Sequence, residues 1–179
     1  MDLNTILDDY KDCDATVCDD LRQVSYFNNT SKDVSVLHVN IRSVYKNFDH
    51  FLVFLKSTGV DFDVIVMSET HIIYNLDDFI IQGYLTFYIE SSLTKFDGCL
   101  VYVKQQFFLN YSTVVVNDLK CALVSVSKNG VLFDILGTYR SPSTSVVDFL
   151  TNLNVILENN TKIKIKIIFN YISTNLQIS

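Results

Sequence analysis

Asp63-Val64-Ile65-Val66-Met67-Ser68-Glu69-Thr70 is a short apolar run with a carboxylate at its C-terminal end. Its length suits one buried β-strand and is too short for most helices. A carboxylate at the edge of a core is costly to desolvate unless something compensates it. A hard divalent cation is one such compensation, because it prefers oxygen ligands. Upstream, Val36-Leu37-His38-Val39-Asn40 repeats the arrangement and ends on a carboxamide. Between the two, Val44, Phe48, Phe51, Leu52 and Leu55 recur on one helical face. Ser43 stands where an N-cap belongs, and Gly59 where a left-handed C-cap would end the helix. The segment from Ser35 to Ser68 therefore reads as β-α-β, with two oxygen ligands at one edge of the sheet.

After Glu69 the texture changes to short strand-like pieces separated by turn residues. Strands are expected at Tyr84–Ile89, Cys99–Lys104, Cys121–Ser127 and Val131–Tyr139. Asn129-Gly130 is a strong hairpin signal between the last two. Pro142 ends that series, and Ser145 with Asp148 resembles a capping box. Val146, Phe149, Leu150, Leu153, Ile156 and Leu157 form a second amphipathic face. Lys and Ile alternate from Lys162 to Ile168, the pattern of a strand with one wet face. The expected organisation is an acidic leader at 1–33, poorly ordered or with a short helix, and one domain at 34–179. Its class is α/β (α+β), with one mostly antiparallel sheet and two amphipathic helices. With five glycines and no glycine-rich phosphate loop, a doubly wound nucleotide-binding fold is excluded.

Composition narrows the functional classes. A net charge of −6 has the wrong sign for a chain that holds nucleic acid by bulk electrostatics, although one metal-centred groove is compatible with it. No apolar run approaches the length of a membrane span, and the acidic first 20 residues are not a signal peptide. The expected location is intracellular, nuclear or cytoplasmic rather than secreted. Cys13, Cys18, Cys99 and Cys121 lack paired metal-site spacing and read as reduced thiols. The constellation that carries chemistry is Asn40, Glu69, Tyr139 and Arg140, each following a strand-like run. Glu69 suits a metal ion, Asn40 a second oxygen ligand, and Tyr139 with the Arg140 guanidinium a phosphate. His38 lies within a strand and reads as a packed or hydrogen-bonded histidine.

These pieces carry a resemblance. His38-Val39-Asn40-Ile41-Arg42-Ser43 with Asn47-Phe48, the Asp63–Thr70 run, and Phe79 through Gly83-Tyr84 are its first half. Asp97-Gly98 with Val101–Lys104, and Gly137-Thr138-Tyr139-Arg140-Ser141-Pro142, complete it. Residues 35 to 157 resemble the endonuclease/exonuclease/phosphatase superfamily, and within it the apurinic-endonuclease-like domain of non-LTR (LINE-type) retrotransposons. The resemblance implies a four-layered α/β sandwich, here partial, and Mg²⁺-dependent cleavage of DNA phosphodiesters. It makes Glu69 and Asn40 metal-site residues and Tyr139 a contact to the scissile phosphate. Arg140 belongs to the same motif. It implies no membrane and no small-molecule cofactor.

The departures are equally specific. The family pattern continues with Gly-Asp-Phe-Asn, where this chain reads Ile167-Ile168-Phe169-Asn170. Asn170 is a candidate remnant, but Ile168 can neither accept a proton nor orient water. A late Ser-Asp-His motif has no counterpart before Ser179, and His71 stands where tryptophan is common. Catalysis is therefore expected to be impaired or absent. The alternative is a non-catalytic remnant or small binding module of the same fold. A half-sandwich would also leave an apolar sheet face uncovered, inviting self-association.

Overall fold

The computed structural model describes residues 34–90, 94–141 and 143–159. The acidic leader, Pro142, the Lys/Ile alternation at 162–168, and Asn170 lie outside the described residues. The elements in chain order are β1 (Val36–Asn40), α1 (Val44–Thr58), β2 (Val64–Ser68), a 3₁₀ turn (Leu76–Phe79), β3 (Tyr84–Ile89) and β4 (Cys99–Lys104). They continue with β5 (Phe108–Val116), β6 (Leu119–Lys128), β7 (Val131–Thr138) and α2 (Val146–Asn159).

The expected α/β class and both amphipathic helices are present, but the single expected sheet is two. One sheet has the order β1-β2-β4-β3, with β1 and β2 parallel and the other pairs antiparallel. The second, β5-β6-β7, is wholly antiparallel. Side-chain alternation explains the layering. On β2, Ile65 and Met67 face α1 and pack with Phe48, Phe51 and Phe54. Val64 and Val66 face the other way, with Val101 and Val103, onto Ala122, Val124, Val126, Phe133 and Ile135 of the second sheet. The outer face of that sheet, with Cys121 and Leu136, is covered by Phe149, Leu153, Ile156 and Leu157 of α2. The layers thus run helix, sheet, sheet, helix.

This corrects the expectation of an uncovered face. β6 and β7 present an apolar stripe on each side, and one of them covers the inner face of the first sheet. It also explains why β2 reads as an unbroken apolar run: all five residues are buried, being covered on both faces. Burying such a side chain contributes roughly 1.5–3 kcal/mol.

Turns follow local chemistry. Asn129 (φ 52°) and Gly130 (φ 79°) both adopt the left-handed conformation demanded by the two-residue turn joining Lys128 to Val131. Gly59 (φ 64°) ends α1 as expected. Ser43 does not cap it: its φ is 95° and its side chain makes no capping bond. The Ser43 and Val44 N–H groups instead donate to the carbonyls of Glu69 (2.8 Å) and Thr70 (3.1 Å). The helix start is docked onto the β2 exit, so the backbone there replaces a side-chain cap.

At the other end of β2, Asp63 is nearly sealed from solvent. It accepts bonds from the Ser35 N–H (2.8 Å) and hydroxyl (3.0 Å) and pairs with Lys128 (2.7 Å) and Lys104 (3.4 Å). Burial alone would raise its pKa, but the Lys128 and Ser35 donors outweigh that and hold it below the usual carboxylate value. Lys128 comes from the second sheet, so this carboxylate ties the two sheets together. Among the described residues, no helix is long and apolar enough to cross a membrane.

Candidate active site

Parallel pairing sets the first part of the site. β1 and β2 run in register with Asn40 opposite Ser68, so Asn40 and Glu69 emerge from the same sheet end. The two exits are laced together: the Ile41 N–H donates to the Ser68 carbonyl (3.0 Å), beside the Ser43 and Val44 bonds already described. Asn47 on α1 donates to the Ile41 carbonyl at 2.7 Å. On the other side of β2, the Thr70 N–H donates to the Gly98 carbonyl (3.3 Å) and the Ile72 N–H to the Lys95 carbonyl (3.3 Å).

Six described non-glycine residues have positive φ, and four of them flank this end: Arg42 (49°), Ser43 (95°), Glu69 (55°) and His71 (66°). Each such conformation costs on the order of 1–3 kcal/mol and persists only where surrounding structure fixes it. The lacing bonds supply that constraint, and the strain is concentrated where Glu69 is presented.

The second sheet supplies the opposite wall. β7 packs onto the first sheet near its end, where Gly137 faces Val66; a Cβ there would make only ordinary contacts, 3.7 Å from both Ala122 Cβ and Val66 Cγ1. Two residues on, the Tyr139 hydroxyl donates to Glu69 Oε1 at 3.2 Å. Asn40, Glu69 and Tyr139, all half-buried, are therefore gathered at one end of the sandwich from three strands.

Arg140 follows Tyr139 at this end, with part of its guanidinium engaged by its own loop. Its Nη1 donates to the carbonyls of Thr144 (2.9 Å) and Ser141 (3.4 Å), holding the loop before α2. Its Nε is buried without a partner among the described residues. A cleft of ≈ 560 Å³ opens beside Tyr139 and Arg140, toward the start of α2 and the β5–β6 turn. Glu90, Asp97, Asp118 and Asp148 outnumber Lys120 and Arg140 on its walls, so its charge does not favour a polyanion.

His38 lies beneath the site. Its Nε2 sits 3.2 Å from the Ser68 hydroxyl, and burial pushes its pKa down to about 4. It is neutral near pH 7 and hydrogen-bonded within the fold, as the sequence suggested. Cys99 and Cys121 are buried, and burial pushes their thiols up to about 12 and about 11. Neither is a nucleophile at neutral pH.

The donor set fits a sparsely held hard cation. Mg²⁺ is ordinarily bound by one or two carboxylates, with water and substrate phosphate completing its shell. Glu69 Oε2 has no hydrogen-bond partner among the described residues, and Asn40 Oδ1 accepts only the local Arg42 N–H, at 3.2 Å. Among the described residues no cluster of three His, Cys, Asp or Glu side chains forms a fuller metal site.

Solved structures share this architecture. The catalytic domain of human nocturnin matches over 76% of this chain and 63% of its own, with TM-score 0.56 and 14% identity. A Danio rerio TDP2 structure, complexed with a single-stranded DNA product, matches over 80% and 61%, with TM-score 0.54 and 14% identity. An AP endonuclease from Archaeoglobus fulgidus matches over 71% and 52%, with TM-score 0.52 and 17% identity. This chain thus spans between half and two thirds of the length of these proteins. No protein-family model matches the sequence, and no curated protein matches it. The fold is that of the endonuclease/exonuclease/phosphatase proteins.

Proposed function

We propose that this chain is a phosphodiesterase domain acting on DNA, of the type carried by non-LTR retrotransposons, with weakened catalysis. The observation that carries the reading is the Tyr139–Glu69 hydrogen bond. It joins two sheets at a strained strand end, where a phosphate seated against the Tyr139 hydroxyl would lie beside a carboxylate. The structure of a neighbour of this fold with a single-stranded DNA product supports nucleic acid as the substrate class.

Glu69 and Asn40 would hold Mg²⁺, which supplies Lewis-acid stabilisation of charge on the phosphoryl oxygens. Tyr139 holds a proton that it donates to Glu69 in the free protein and can redirect to a phosphate oxygen. Arg140 keeps the following loop in place through its Nη1. Backbone lacing around Glu69 fixes the carboxylate before substrate arrives, so little reorganisation is needed during reaction.

The weak point is the nucleophile. Ile168 occupies the position at which the resemblance calls for an aspartate, and a hydrocarbon cannot orient or deprotonate water. This residue also favours a second reading, a binding module of the same fold without turnover.

A supercoiled-plasmid nicking assay in Mg²⁺ tests both. Slow nicking is expected, abolished in Glu69→Gln and accelerated in Ile168→Asp. Nicking that survives Glu69→Gln would show the site to be elsewhere. No nicking in either wild type or Ile168→Asp would leave the binding-module reading in possession.

A further inference from the structure

We propose that Phe96, with His71 against it and Lys95 beside it, is a stacking site for one unpaired nucleobase of a single-stranded DNA segment next to the Glu69–Tyr139 site. The inference rests on the DNA-directed reading above and adds to it a contact for a specific form of the substrate.

Phe96 is 57% exposed. Isolated exposed aromatics are ordinary, and exposure by itself carries no argument. Phe96, however, is built into a corner. The His71 ring stands against it at 5.4 Å and 74°, and the Lys95 ammonium lies over its ring at 5.0 Å. Both partners belong to the frame of the candidate site. His71 is two residues beyond Glu69, in the left-handed conformation (φ 66°), and the Lys95 carbonyl accepts the Ile72 N–H.

Gly98 locks the two segments together. A Cβ there would fall 2.7 Å from Thr70 Oγ1 and 3.1 Å from the His71 carbonyl, at a φ of 110°. The close approach that seats Phe96 against His71 therefore requires glycine at this position.

Chemistry selects the ligand. A base within a duplex is stacked on both faces, so only an unstacked base can use the exposed ring. A base that settles on Phe96 displaces the Lys95 ammonium from over the ring, and the adjoining backbone phosphate receives that charge. An aromatic face with a cation beside it is the combination that binds single strands with little sequence preference. In a chain of net charge −6, overall electrostatics does not draw nucleic acid in, so a local stacking contact carries more of the binding.

The test is fluorescence anisotropy with the full chain and a labelled single-stranded oligonucleotide of about a dozen nucleotides, in EDTA so that cleavage plays no part. Phe96→Leu keeps the bulk and loses the π-face; it should bind on the order of tenfold more weakly, whereas Phe96→Tyr should bind like wild type. Lys95→Ala should lower the slope of log affinity against log salt by about one, and Phe96→Leu should leave that slope unchanged. A strand of the same length built wholly of abasic residues should bind wild type and Phe96→Leu alike. Equal binding by wild type and Phe96→Leu, or binding of duplex as tight as of single strand, overturns the proposal. Because binding is read without metal, it fails or stands independently of nicking and of Glu69→Gln.

Discussion

Replacing Asp63 with Asn removes the charge that joins the two sheets and leaves its shape. The Asp63 side chain is 3% exposed and those of its partners Lys128 and Lys104 are 12% and 13% exposed. The substitution therefore removes the countercharge that Asp63 supplies to two largely buried ammonium groups. Lys104 keeps its bond to the exposed Asp61 at 2.7 Å. Breaking a buried pair by removing one partner costs about 3–5 kcal/mol. For a domain of this size that corresponds to a fall in Tm of roughly 6–20 °C.

Thermal and urea unfolding of Asp63→Asn, Lys128→Met and the double variant form the assay. The double variant should be less destabilised than the sum of the single ones by about 1 kcal/mol or more, because each single change removes the same Asp63–Lys128 attraction. The pH dependence has a definite sign. The folded pKa of Asp63 is lowered, so its stabilisation is present above the unfolded value of 3.8 and is lost as pH falls through the lower folded value. Asp63→Asn with an unchanged Tm, or strictly additive single effects, would refute the view that this pair couples the sheets.

Two further outcomes follow from the site's frame. Gly98→Ala should cost roughly 2–3 kcal/mol in urea unfolding, from its left-handed φ and the Thr70 clash. Gly83→Ala, at φ 88° with open space around it, should cost less and serves as the comparison. His38 has a folded pKa of about 4 against 6.5 unfolded, so below pH 6.5 the unfolded chain binds the extra proton and stability falls toward pH 4. Urea midpoints should decline over that range by an amount on the order of 3 kcal/mol at most, and His38→Gln should flatten the decline.

Much of the first half of the fold was legible because local signals there agree. The β1 run, the apolar face of α1, Gly59 and the β2 run each predict the same β-α-β unit. Asn129-Gly130 announced the β6–β7 hairpin for the reason the structure confirms, two consecutive left-handed residues. β5 was not legible. It is an edge strand among the described residues, with no buried residue and with polar Asn110, Ser112 and Thr113 in its middle, so no apolar alternation marks it. Its turn into β6, Asn117-Asp118, is a weaker signal than Asn-Gly, although Asn117 adopts φ 51°. The Ser43 cap failed because a local rule cannot anticipate the Glu69 and Thr70 carbonyls arriving from β2.

The site divides the same way. Sequence alone singled out Glu69, Asn40 and Tyr139 as oxygen-bearing residues at strand ends, because chain position and residue type are local properties. Tertiary structure decided what those residues meet. It split the strands into two facing sheets, set Tyr139 against Glu69 across them, and turned part of the Arg140 guanidinium into its own loop. It gave Asp63 two lysines, and it brought Phe96 to His71 through Gly98. Apart from the Arg140 loop bonds, these pairings join residues 25 to 70 positions apart, and periodicity carries no record of which distant segments share a face. Hydrophobic burial selects the packing, and the packing alone determines which polar groups become neighbours.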